Sequence, residues 1–278
     1  MSIGEPETSI HATAVVGDGV EIGRGVTIGP YSIVESGAIL RDGCRLDAHV
    51  HVHGCADVGE GTTIRSGSVV GGEPQDFKYK GETSRLRIGK RCRLHECVTI
   101  NRATGEGCET VVGDEVMFMA GTHVGHNCVI DNGATLVNGV MLGGHCHIGE
   151  RALLSGNSAV HQFCRVGRLT LVGGACMVTK DAPPFSIVVG QYPVHWRAPN
   201  TIGMRRAGFT TDQRSAIRRA LFQLFRTKDS RREEAERLLA SPHSEVVEIA
   251  RFVLDSERGI CASPDMARNR AGGDASED

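Results

Sequence analysis

The chain has 278 residues, 36 of them glycine, with a formal net charge of −2 and only 4% aromatic residues. So even a charge balance excludes the broad basic field of a nucleic-acid-binding surface, and no stretch approaches the ~20 apolar residues that span a bilayer. The start, Met1-Ser-Ile-Gly-Glu-Pro6, lacks a basic region followed by an apolar run, so the expectation is a cytoplasmic protein rather than a secreted one.

From Ile10 an aliphatic residue recurs every six positions in one phase: Ile10, Val16, Ile22, Ile28, Val34, Leu40, Leu46, Val52, Val58, Ile64 and Val70. The phase resumes at Ile88, Leu94 and Ile100, and runs again from Val112 through Phe118, Val124, Ile130 and onward to Val178. A fixed short period marks a solenoid. Six is even, which suits short strands, and β-branched residues alternate with glycine that turns the chain at corners. Three such hexads make one coil, so each aliphatic stacks on those one coil before and after it. The expected fold is an all-β solenoid, a parallel β-helix over residues 1–190, followed by a helical domain at 191–260.

Two insertions interrupt the hexads, at about 71–87 and 101–111. The first, Gly71-Gly-Glu-Pro-Gln-Asp-Phe-Lys-Tyr-Lys-Gly-Glu82, is polar and carries two aromatics; the second begins Asn101-Arg-Ala-Thr-Gly-Glu. Insertions in a solenoid commonly project as functional loops, although each of these alone equally suits a plain surface loop. Beyond them the coil stacks His126, Gly144 and Gln162 in one column, with His145 and His161 beside it and His123 one short segment earlier. A row of imidazoles next to a glycine backbone fits a general base with an oxyanion donor. It also fits metal ligation, and spacing does not choose. His49, His51 and His53, on an earlier strand, are expected to face solvent rather than to be ligands.

Of the ten cysteines, Cys44, Cys92, Cys128, Cys146, Cys164 and Cys176 fall four residues after a core aliphatic, the small inward position of the hexad. They are expected to be free, buried packing residues. Asp181-Ala-Pro-Pro184 ends the solenoid. A helical period then places Ile217, Leu221, Leu224 and Phe225 on one apolar face, and Val246, Val247, Ile249, Phe252 and Val253 on another. Between them 231–240 reads as a charged, mostly exposed helix with Leu238 and Leu239 turned inward. The composition of 261–278 offers little to bury and predicts a disordered tail.

Several motifs together resemble one family. They are the Pro74-Gln-Asp-Phe-Lys-Tyr79 loop, Val98-Thr-Ile-Asn-Arg102, His123-Val-Gly-His126, Ser158-Ala-Val-His-Gln-Phe163 and Gly203-Met-Arg-Arg-Ala-Gly-Phe209. In order and context they are similar to the acyl-carrier-protein-dependent UDP-N-acetylglucosamine O-acyltransferases, which perform the first step of lipid A synthesis, and the likeness spans roughly residues 8–260. The resemblance implies a left-handed coil, a homotrimer, and transfer of a 3-hydroxyacyl group from acyl carrier protein to the sugar 3-hydroxyl of UDP-N-acetylglucosamine. His126 is then the general base, suited by an ordinary imidazole pKa of about 6.5, and the Gly144 amide the oxyanion donor. His123, His145 and His161 match sugar and nucleotide contacts. Gln75, Asp76 and Lys78 match sugar-recognition residues on a loop reaching toward a neighbouring subunit. Asn200 and Arg206 match contacts near the nucleotide, and Gln162 and Gly174 positions along the acyl groove. No metal and no cofactor is implied beyond the phosphopantetheine of the carrier.

The sequence departs from the family in three places. Asn127 follows the base where an Asp is common, which predicts a slower base or another orienting group. Ala207 replaces a frequent second Arg, and residues 191–199 diverge. For docking the acidic carrier, Arg165, Arg168, Arg214, Arg218 and Arg219 form a candidate basic patch, or simply a solvated face. Rival readings are an acyltransferase acting on a 3-amino sugar, the N-acyltransferase of the same pathway, a γ-type zinc carbonic anhydrase and a non-enzymatic scaffold. The N-acyltransferase normally carries a large domain before its hexads, and the anhydrase lacks the Pro-Gln-Asp loop.

Overall fold

A computed structural model describes residues 7–262 except residue 228. Its strands, most of them two residues long, stack into three parallel sheets of eleven, nine and eight strands, here the first, second and third faces of a prism. Every third strand pairs with its successor: Ser9 lies beside Thr27 on the first face, His123 beside Met141 on the second, His147 beside Arg165 on the third. The insertions leave this ladder in register, with Val58 beside Ile88 and Ile100 beside Val124.

The hexad aliphatics form the core. Val34, Val58, Ile64, Val124, Leu136 and Val172 are 0% exposed, and burying each is worth about 1.5–3 kcal/mol. Ile10, the first of the phase, is instead 46% exposed, because among the described residues the opening coil has a neighbouring coil on one side alone. The six cysteines assigned to packing are free and buried, whereas Cys97 and Cys108 are exposed.

Both insertions leave the coil at one corner. The first connects the second-face strand Val69–Gly72 to the third-face strand Arg85–Ile88, and the other connects Thr99–Asn101 to Glu109–Val112 in the same way. His126, Gly144, His145, His161 and Gln162 also lie on connections from the second face to the third. One edge of the prism therefore collects all of them.

The sheet continues past the expected boundary at 190. Ser186–Val189 extends the first face and His195–Pro199 pairs antiparallel with it. Four helices follow: α1 Thr201–Arg206, α2 Thr211–Arg226, α3 Arg231–Leu238 and α4 Ser244–Leu254. Helices α2 and α3 each begin with a capping box, Thr210 with Gln213 and Ser230 with Glu233. The domain is pinned by Trp196, which stacks on Phe225 with ring centroids 4.6 Å apart. Three expectations change here. Leu239 is 40% exposed because α3 ends before it, at Leu238. Arg231 is not a solvated residue: its guanidinium donates to the carbonyls of Ile260 and Cys261, and burial pushes its pKa down. Cys261, expected to open the disordered tail, is fully buried with its thiol pushed up to about 12, and Ala262 bridges to His195. Its backbone is held because Trp196 N–H donates to Ala262 O. The rest of the expected tail, 263–278, lies outside the described residues.

Candidate active site

The turn after the strand His123–Val124 carries His126, which is 6% exposed. Its ring is held from one side by the next residue, with Nδ1 2.8 Å from Asn127 Oδ1. The orientation of that amide is fixed by Thr104. Asn127 Nδ2 donates to the Thr104 carbonyl at 3.0 Å, and the Thr104 N–H and hydroxyl both approach Oδ1 at 2.9 Å. An oxygen that accepts from Thr104 must also accept from His126, so the Nδ1 of His126 carries the proton and Nε2 keeps its lone pair. Asn127 is in the left-handed region at φ 58°, and its own N–H donates to Thr110 Oγ1. The amide thus fills the orienting position, as the sequence allows, with Thr104 as the partner that sequence reasoning missed. Nothing in the bland composition of the second insertion signalled that residue.

Nε2 faces the other insertion. Asp76 Oδ2 stands 3.7 Å from it, and Asp76 Oδ1 is fixed by the Lys78 N–H at 3.0 Å. That gap is too long for a direct hydrogen bond, so the Nε2 lone pair is left open to a hydroxyl donor. The loop was expected to reach a neighbouring subunit, yet Asp76 meets the histidine of its own chain. Gln75 and Lys78 beside it are exposed.

One coil further on, Gly144 lies against the imidazole. A Cβ built there would sit 2.5 Å from His126 Nε2, so only glycine leaves the ring in place. Among the described residues no hydrogen bond uses the Gly144 N–H. The backbone keeps the column: His145 N–H donates to the His126 carbonyl and Phe163 N–H to that of Gly144. The His145 ring meets His126 edge to face at 5.1 Å and stacks on Phe163 at 4.7 Å. Burial first, then the neighbouring His126, holds the His145 pKa below the usual imidazole range, with Asp76 opposing. His123 is likewise lowered by burial, and Nδ1 pairs with the Thr99 hydroxyl at 2.8 Å.

Gln162 is half-buried at the next level, beside the exposed His161. His161 Nδ1 lies 3.3 Å from Arg258, which also donates to the Thr179 carbonyl. Arg258 comes from beyond α4, and no sequence motif pointed to it. A cavity of about 540 Å³ beneath the first insertion, lined by Cys55, Tyr79, Ser84 and Arg102 among others, contains none of these histidines.

Three expected site residues stand elsewhere. Asn200 caps α1: its Oδ1 accepts from Gly203 N–H, and its Nδ2 donates to the Leu169 carbonyl. Leu169 lies on the connection from the third face to the first, so Asn200 belongs to a different corner from His126. Arg206 is exposed in the last turn of the same helix. Gly174 occupies the remaining corner, between the first face and the second, and a Cβ there would meet only the Gly156 carbonyl at 3.5 Å. Within one chain none of the three joins His126. The proposed arginine patch also changes: Arg165 pairs with the buried Asp181, and Arg168 with Glu248 at 2.7 Å. Arg214 folds back onto Phe209 O and Thr211. Only Arg218 and Arg219, on α2, remain exposed.

Comparisons with known proteins agree with this geometry. Residues 181–261 match the second domain of UDP N-acetylglucosamine O-acyltransferase, and residues 109–144 the bacterial transferase hexapeptide. The acyl-[acyl-carrier-protein]–UDP-N-acetylglucosamine O-acyltransferases of Brucella ovis and Brucella suis are each 41% identical over 277 residues, covering 98% of this chain and 99% of theirs. The chain belongs to this family of O-acyltransferases. It is therefore an acyltransferase enzyme. Among solved structures, LpxA from Acinetobacter baumannii superposes with a TM-score of 0.87 at 31% identity, covering 91% of this chain and 99% of its own. The UDP-N-acetylglucosamine acyltransferase of Francisella novicida gives 0.89 at 32%, covering 93% and 95%. With these neighbours the coil is the left-handed β-helix that the hexads and their family imply.

Proposed function

We propose that His126 acts as the general base in transfer of a 3-hydroxyacyl group from acyl carrier protein to the 3-hydroxyl of UDP-N-acetylglucosamine, in lipid A biosynthesis. Near full-length identity to enzymes named for that reaction supports the reaction. The observation that carries the residue assignment is the Asn127-held imidazole whose free Nε2 faces Asp76. The sugar 3-hydroxyl donates to Nε2, and its oxygen attacks the thioester carbonyl as the proton passes to that nitrogen, with the Asp76 carboxylate beside the imidazolium that forms. Charge developing on the carbonyl oxygen is met by the unengaged Gly144 N–H, a preorganised donor. Collapse of the tetrahedral intermediate breaks the C–S bond, and the imidazolium returns the proton to the departing thiolate. The thioester is already an activated acyl donor, so this chain's part is positioning and proton transfer.

The working unit in this reading is a homotrimer. Asn200, Arg206 and Gly174 stand at other corners of the same prism, so they reach a His126 only on a neighbouring copy. The outward column of the second face supports packing there. It runs Val15, Ile33, His51, Val69, Thr99, His123, Met141, Ala159, Met177 without a carboxylate, lysine or arginine. Val15 and Met141 are 60% and 57% exposed in the single chain, an apolar strip that a second copy covers.

The deciding experiment incubates purified protein with UDP-N-acetylglucosamine and 3-hydroxyacyl carrier proteins of several lengths, with products weighed by mass spectrometry. Acylated nucleotide sugar from the native chain, and a loss of roughly 10²–10⁴-fold in His126→Ala, is expected. Full activity in a folded His126→Ala protein would remove the base from the mechanism.

A further inference from the structure

Three to four coils before His126, on the same corner, Glu35, His51 and His53 converge. His51 Nε2 is 2.8 Å and His53 Nδ1 3.2 Å from the same carboxylate oxygen, Glu35 Oε1. The other carboxylate oxygen is held by the Gly54 N–H at 3.2 Å. The two imidazoles stack with centroids 4.2 Å apart, so both aim their nitrogens at one point. All three residues are half-buried, and their ligand atoms lie within 4.8 Å of one another. The sequence led us to expect solvent-facing histidines here; they are half-buried and turned toward Glu35.

We propose that Glu35, His51 and His53 form a divalent transition-metal site of the zinc class, separate from the acyl-transfer centre. Bonds of about 2.0–2.1 Å from a tetrahedral ion put its ligand atoms roughly 3.3 Å apart. The two nitrogen–oxygen separations lie just below that spacing, and closing the gap between the histidines needs only side-chain rotation. Two neutral imidazoles and one carboxylate suit zinc and its neighbours over magnesium or calcium, which prefer oxygen donors. The Gly54 N–H supplies the outer contact that aims the ligating oxygen. The nearest competing cation, Arg102, is spoken for by the Tyr79 hydroxyl and Glu73. Three protein ligands leave one coordination position, taken by water or by a group from a neighbouring copy packed on this corner. The ion clamps consecutive coils, since Glu35 and the two histidines belong to successive turns of the ladder. Its role is structural, and acyl transfer does not pass through it.

The test uses the full chain, stripped with a chelator and then titrated with Zn²⁺ by calorimetry and with Co²⁺ by visible absorption. One ion per chain is expected, with Co²⁺ bands of a nitrogen–oxygen tetrahedral site. The melting midpoint should rise by about 3 °C with Zn²⁺. The double variant His51→Ala/His53→Ala and the single Glu35→Gln should lose both the stoichiometric binding and the shift, while acyl transfer by the stripped native chain stays unchanged. Should those variants not fold, the Co²⁺ spectrum of the native chain decides alone. No binding by the folded native chain would overturn the proposal. So would equal binding by the folded variants, or a thiolate charge-transfer band that moves the ion to Cys55.

Discussion

Asn127 is the most informative residue of the candidate site. Its Oδ1 holds the His126 ring as a carboxylate would, yet carries no charge to stabilise the imidazolium formed as the sugar hydroxyl loses its proton. Asn127→Asp should therefore raise kcat by about fivefold, equivalent to ~1 kcal/mol of transition-state stabilisation. Thr104→Ala, which removes the hydroxyl contact to Oδ1 but keeps both backbone contacts, should lower kcat by about twofold with little change in KM. Steady-state kinetics on both variants checks this, and an unchanged kcat in both would mean the ring is oriented otherwise. Gly144→Ala should cost on the order of a hundredfold, because its methyl group would displace the imidazole by the ångström that positioning cannot spare. Three buried or half-buried histidines set a pH dependence of stability. Burial lowers the folded-state pKa of His53, His123 and His145 below the unfolded value of about 6.5. Between those values the unfolded chain binds more protons, so stability is full above pH ~6.5 and falls as the pH drops toward the folded values. Melting midpoints should decline from pH 7.5 to 5.5, and His123→Gln should flatten that decline.

Elements separate what the sequence displayed from what it hid. Hexads were legible because nearly every aliphatic beyond the first coils has one environment, the axial core, and periodicity reports it. The helices were legible for the same reason, down to Ile217 and Leu221 at 0% exposure. The arginine patch was not legible, because pairing partners lie far along the chain: Glu248 on α4 neutralises Arg168, and Asp181 neutralises Arg165. Charge composition cannot distinguish a free guanidinium from a tied one. If the exposed arginines of α2 dock the carrier, as the proposed function implies, Arg218→Ala/Arg219→Ala should raise KM for the acyl carrier protein several-fold while leaving the melting midpoint unchanged. Arg168→Ala should do the reverse, since it leaves Glu248 without its partner. The hairpin strand His195–Pro199 was hidden by its divergent composition, yet it seats Trp196 against Phe222 and Phe225. Trp196→Ala should destabilise the helical domain by about 3–5 kcal/mol, measurable by denaturant unfolding.

Across the whole molecule, the row of histidines was visible in spacing alone, while the separation of Asn200, Arg206 and Gly174 from it was not. A linear chain does not announce which corner of a prism a residue occupies until the strands are counted onto faces. That separation makes the trimer testable without a structure of one. If each site draws His126 from one copy and Arg206 from another, His126→Ala and Arg206→Ala chains are each inactive alone. Co-assembled at random they should recover about a quarter of native activity, because mixed trimers rebuild one intact site. No recovery, with mixed trimers demonstrated by mass, would place both residues in one chain's site. The placement of both insertions on one edge has a last consequence. Two edges of the prism keep a constant pitch, and the third absorbs changes of length as a seam does, without disturbing the rows beside it. The molecule can thus be recut along that seam: loops exchanged with relatives, or a whole coil removed ahead of Glu35, should alter what the edge recognises while the spacing from His126 to Gln162 stays fixed.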